Sequence, residues 1–142
     1  MQSRMKHLLP VLIVLFSAFA AYSQNSEFGS IEVLKGKTKY FVVADSTEDR
    51  NKIVSELRRR PELVAVSRAE DAEFFVEYKQ LDIKPLGSFG GAVARGEMTV
   101  YTKGGDTKLV AWSNTATAGA HKAATPGKLA GQFVSALKKA SR

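Results

Sequence analysis

The 142-residue chain has no cysteine, one tryptophan, four prolines and two histidines. Without cysteine there is no disulfide, no thiolate metal site and no cysteine nucleophile. Acidic residues are also in short supply, 14 against 21 Lys and Arg. Yet the chain is 44% hydrophobic and 25% charged, an ordinary globular balance that excludes wholesale disorder. Its length fits one domain, because two would each be marginal.

The hydrophobic residues are unevenly spread. Arg4 and Lys6 precede an apolar run from Leu8 to Ala21, interrupted by Pro10 and Ser17. Ala21-Tyr22-Ser23 before Gln24 then meets the small–x–small cleavage rule, with Ala18-Phe19-Ala20 as a second exit. This is the pattern of a secretory signal peptide over residues 1–23. The run falls short of the roughly 20 residues a permanent transmembrane anchor needs. No cysteine stands at the cleavage site to carry a lipid. The expectation is an exported bacterial protein, periplasmic or extracellular. Removing the leader takes Arg4 and Lys6, which leaves 119 residues with 19 basic and 14 acidic side chains. His121 is then the sole histidine, and one imidazole cannot build a multi-histidine zinc site.

Residues 24–38 read as a loose N-terminal arm, with Ile31–Leu34 as a short strand, and residues 39–142 as a single domain. Lys39–Ala44 is β-branched and aromatic, the composition of a buried strand. Asp45 with Glu48, or Ser46 with Asp49, has capping-box spacing, and Ile53, Val54 and Leu57 follow on one helical stripe. Arg58-Arg59-Arg60 suits the helix C-terminus, and Pro61 stops it. Leu63–Val66 reads as a short extended piece. Phe74–Lys79, Glu97–Tyr101 and Lys108–Ser113 alternate as strands, the last two joined through a Gly104-Gly105 turn. Gln80–Ala94 holds Pro85, Gly87, Gly90 and Gly91 and reads as a long connection, as does Ala116–Thr125. Thr125 and Pro126 suit the start of a last helix with an apolar face of Leu129, Phe133, Val134, Leu137 and Ala140. The order β-α-β-β-β-α predicts an α+β two-layer sandwich, a mixed four-stranded sheet with two helices.

The loops and charge runs of this sequence hold the candidate sites. The glycine-rich loop matches neither a nucleophile elbow nor a P-loop, but it can bring backbone N–H groups to a ligand. Ser88, Gly90, Gly91, Arg95 and His121 are the ligand-binding candidates. Glu70, Asp71 and Glu73 lack EF-hand spacing and read as a solvated turn. Ser135-x-x-Lys138 lies at the end of the last helix, where serine–lysine chemistry does not place it. Arg58, Arg59, Arg60, Lys122 and Lys128 form the candidate basic patch, able to attract anionic polymer or lipid headgroups. Nucleic acid is not expected of an exported chain without the aromatic–basic interleaving of an RNA-binding sheet.

Three segments together carry a resemblance: Glu70-Asp71-Ala72-Glu73-Phe74-Phe75-Val76, Arg95-Gly96-Glu97-Met98-Thr99-Val100-Tyr101 and Leu109-Val110-Ala111-Trp112-Ser113. With the closing Phe133–Lys139 helix, the chain resembles uncharacterised small bacterial exported proteins over residues 39–140. More distantly it is similar to envelope lipoproteins of unknown function, without their lipid-bearing cysteine. The resemblance implies a fold and a compartment and carries no catalytic residue. The expected function is a non-catalytic binding or accessory module without cofactor or metal. Its expected partner is an unknown protein or an anionic envelope polymer. The alternatives are a basic surface module for anionic envelope polymer or lipid headgroups and an unrecognised hydrolase using Ser88 or His121 beside the glycine loop.

Overall fold

The computed structural model describes residues 25–85, 87, 92–119 and 124–142. The expected signal peptide, with its exit at Ser23 and Gln24, lies outside them.

Six strands form one mixed sheet: β1 (Asn25–Phe28), β2 (Lys39–Val43), β3 (Val64–Ala65), β4 (Phe74–Pro85), β5 (Ala92–Gly104) and β6 (Thr107–Gly119). Two α-helices accompany it, α1 (Thr47–Leu57) and α2 (Ala124–Ala140). The strand order is β1-β6-β5-β4-β2-β3. This corrects the expected four-stranded sheet, although the α+β character fits. The two added strands are the edges. β1 is polar and β3 has two residues, so neither carries an alternation long enough to read. Backbone pairing holds them instead: β1 runs parallel to β6, and β3 parallel to β2. Ile31–Leu34 is a 3-10 turn rather than a strand, and it buries Leu34.

The central elements follow their sequence signals. Ser46 caps α1, its hydroxyl accepting from the Asp49 N–H at 3.1 Å. α1 leads from β2 to the short parallel strand β3, and the chain then returns to β4, which pairs in parallel with the other side of β2 from Tyr40↔Phe74 to Val43↔Glu77. β4, β5 and β6 make an antiparallel meander, with Gly105 at φ 61° in the β5–β6 turn. The meander is longer than expected. β4 continues to Pro85 and β6 to Gly119, through stretches that read as connections, because neighbouring backbones pair along them without an apolar pattern. α2 begins at Ala124, so Thr125 and Pro126 fall inside its first turn and are fully buried rather than capping it.

Both helices cover one face of the sheet. Ile53 and Leu57 of α1, and Leu129 and Phe133 of α2, close over Tyr40, Val42, Phe74, Val76, Met98 and Val100. Each large side chain fully buried here stabilises the fold by roughly 1.5–3 kcal/mol. The opposite face carries a smaller cluster of Phe75, Tyr101 and Val110, flanked by Phe41, Ala69 and Ala72. Lysines roof it: Lys103 Nζ lies 4.6 Å from the Phe75 ring centre, and Lys108 Nζ 4.5 Å from that of Tyr101. Glu77 anchors this lysine layer, 3.1 Å from Lys79 Nζ and 3.4 Å from Lys108 Nζ.

Candidate functional site

The three consecutive arginines are spread apart because α1 ends beneath them. Arg58 is the C-cap residue, its N–H donating to the Val54 carbonyl at 3.1 Å. Arg60 turns away to bond Glu62 Oε1 at 2.6 Å and Ser141 Oγ at 3.4 Å. Arg59 points to α2, with Nε 3.4 Å from Glu56 Oε2 one turn back and its side chain 68% exposed.

Arg59 thereby reaches a depression between α2 and β6. Trp112 and Asn114, two apart on β6, and Lys128, Gly131, Gln132, Ser135, Ala136 and Lys139 on α2 complete its lining, around about 540 Å³. Two of the expected basic residues, Arg59 and Lys128, are brought together here with Lys139. Glu56 borders the lining: its Oε2 lies 3.4 Å from Arg59 Nε and 3.6 Å from a Cβ built at Gly131, so Lys128 and Lys139 are the cations it leaves unpaired there. The half-buried Trp112 ring rests against Phe133 at 5.4 Å, which fixes its plane. Asn114 Nδ2 donates to Gln132 Oε1 at 2.6 Å, and Lys128 Nζ to the Thr117 carbonyl at 3.3 Å. Three cations, one indole and two amides on a shallow surface suit a polyhydroxylated or anionic chain laid across it.

A second concavity, about 520 Å³, lies where the Ile31–Thr38 segment meets the end of α2. Lys35, Lys37, Arg60 and Arg142 line it, but so do Glu32 and Glu62. Arg60 is already engaged, and Glu62 is held below the ordinary carboxylate range, chiefly by a backbone hydrogen bond and then by Arg60. This mixed lining is a poorer anion receiver than the first depression.

The other expected site residues do not assemble into a site. Arg95 projects from β5 and pairs across the ladder with Asp82 on β4, Nε to Oδ1 at 3.2 Å. Ser88, Gly90, Gly91, His121 and Lys122 lie outside the described residues. Of the acidic trio, Glu70 binds Arg68 at 2.7 Å. Glu73 accepts from the backbone N–H groups of Thr38 and Lys39, both at 3.2 Å, which lower its carboxyl pKa. No three His, Asp or Glu side chains among the described residues are grouped to hold a metal ion. No described helix is long and apolar enough to cross a membrane.

Sequence reasoning missed Trp112, Asn114, Gln132 and Ser135. A signal was present: Lys128, Gln132, Ser135 and Lys139 recur at steps of four, three and four, one polar stripe of a helix. That stripe borders the stronger apolar stripe of Leu129, Phe133 and Leu137.

No family model matches the chain, and no curated protein matches it in sequence. Several solved structures are similar to it. It is similar to a PelC protein from Paraburkholderia phytofirmans, described as a dodecamer, at TM-score 0.50 and 14% identity over 70% of this chain and 88% of that one. A minor lipoprotein from Acinetobacter baumannii superposes at TM-score 0.48 and 13% identity, over 68% and 87% of the two chains. A hypothetical protein from Chlamydia trachomatis does so at TM-score 0.43 and 14% identity, over 58% and 71%. At this identity the PelC likeness establishes a shared α+β fold.

Proposed function

We propose that the chain is an exported, non-catalytic bacterial module that binds an anionic envelope polymer across the depression around Trp112. The observation that carries this reading is the convergence of Lys128 and Lys139 of α2 with Arg59 from the end of α1 around one indole ring, where cations outnumber the single bordering acid, Glu56. Export rests on the charged start, apolar run and small-residue exit of residues 1–23. Cations on an open surface attract a polyanion over about 10 Å at 0.1 M salt, and the ring and amides add short-range contact.

The test uses the single tryptophan as its own probe. Titration with polygalacturonate is expected to change Trp112 emission, and the apparent affinity is expected to fall steeply with added salt. Neutral dextran is expected to have no effect. Equal response to both polymers, or none to either, would remove the proposal. N-terminal sequencing of protein recovered from outside the cytoplasm tests export separately, with Gln24 or Ala21 expected as the first residue.

A further inference from the structure

Strand β4 is paired on both sides for only part of its length. β2 accompanies Phe74–Glu77, whereas β5 follows β4 to Pro85. Among the described residues, Tyr78–Pro85 have no strand on the β2 side. A row of unpaired backbone donors and acceptors is a template for another strand. The same edge exposes two large apolar side chains, Leu81 at 42% and Ile83 at 39%.

We propose that this edge pairs antiparallel with the same edge of a second copy, with Ile83 opposite Ile83 on the two-fold axis. Charge complementarity selects this register. In that register Asp82 faces Lys84 and, by symmetry, Lys84 faces Asp82, on either side of an apolar centre. Neighbouring registers lose this match. Centring on Asp82 sets two like charges face to face, which is destabilising. Centring between Leu81 and Asp82 opposes Lys79 to Lys84, and centring between Asp82 and Ile83 opposes Leu81 to Lys84. Centring on Leu81 sets Ile83 against Lys79. Asp82 retains 37% side-chain exposure beside Arg95, so it can still receive a second cation. The ladder is short. The register shift between Gln80 and Asp82 bounds it on one side, and Pro85, which has no N–H, on the other. The dimer is accordingly expected to dissociate on dilution.

Sedimentation of the protein purified from cells expressing the full chain tests this. The wild type is expected to shift from monomer to dimer with concentration. Asp82→Lys and Lys84→Asp are each expected to weaken self-association at least tenfold. Mixed in equal amounts they are expected to form a heterodimer, because each then supplies the charges the other lacks. Ile83→Cys introduces the sole thiol of a cysteine-free chain. Residues directly opposed in an antiparallel ladder have Cα atoms about 4.5–5.5 Å apart, within disulfide reach. Mild oxidation should therefore give a covalent dimer much faster than it does for Phe28→Cys at the distant β1 edge. Circular dichroism establishes that each variant is folded. A wild type that stays monomeric at every concentration overturns the proposal. So do single charge variants that dimerise as the wild type does, or an Ile83→Cys variant whose thiol is captured by a different envelope protein in place of its own copy.

Discussion

Gly96 lies against the ring of Tyr78 so closely that a Cβ at position 96 would stand 2.6 Å from the tyrosine hydroxyl oxygen. It would also stand 2.7 Å from Cε2 of the same ring and from Cγ2 of Thr125. The glycine thus lets β5 carry the first turn of α2. Both neighbours are buried and cannot swing away. Gly96→Ala is expected to cost about 1–3 kcal/mol through overpacking, read as a lowered melting temperature. An alanine variant as stable as the wild type would show that the α2 start shifts freely.

That glycine shows how far the sequence could be read. The four central strands, the Ser46 cap, the crossover helix and the Gly105 turn all carry local signals, namely alternation, capping spacing or a residue that tolerates positive φ. The close approach at Gly96 carries none, because it depends on residues 18 and 29 positions away along the chain. The long outer halves of β4 and β6 were hidden for a related reason. Ladder hydrogen bonds hold them regardless of side chain, and Pro85 with its neighbouring glycines pointed to a loop. Of the site, the charges of Arg59 and Lys128 were visible, but their meeting beside Trp112 is a product of α2 packing on β6.

Phe133 links core and site. It is fully buried, 6.5 Å from Phe74 and 5.4 Å from Trp112 between ring centres. Phe133→Ala is expected to destabilise the fold by about 3–5 kcal/mol. It should also redshift Trp112 emission, because the indole loses its backing. Denaturant unfolding followed by tryptophan fluorescence reads both effects. A stability loss with unchanged native emission would separate the indole environment from the core.

The two concavities make opposite predictions for charge reversal. Lys128→Glu is expected to weaken polygalacturonate binding at least tenfold and to flatten its salt dependence. Lys37→Glu, in the mixed-charge cleft, is expected to leave both nearly unchanged. The comparison controls for net charge, since each variant changes it equally. Equal losses would mean that the overall charge of the protein, rather than the Trp112 depression, attracts the polymer.

Glu77 and Tyr101 each contribute to the pH dependence of stability, one on the acid side and one on the alkaline side, from one spot on the outer sheet face. Burial alone would raise the Glu77 carboxyl, but the hydrogen bond from Lys79 and the charges of Lys108 and Lys79 outweigh it and hold the group below its ordinary range. The unfolded chain therefore takes up this proton first. The stabilisation is complete above the ordinary carboxylate pKa of about 4.3 and is lost as pH falls through the lower folded value. Tyr101 acts at the other limit. Burial, and then the facing Glu77 carboxylate, push its hydroxyl up to about 12. The unfolded chain ionises first, so stability is complete below the ordinary tyrosine pKa of about 10 and declines as pH rises toward the folded value. Melting temperatures measured across pH are expected to show both limbs. Glu77→Gln should make the acid limb shallower, and Tyr101→Phe the alkaline one, with the shifted Glu73 and the buried Tyr40 and Tyr78 supplying the remainder. Added salt should shallow the acid limb only partly, because the Glu77 and Lys108 side chains are 15% and 19% exposed and poorly screened. A Glu77→Gln profile that parallels the wild type below pH 5 would assign acid sensitivity to other carboxylates.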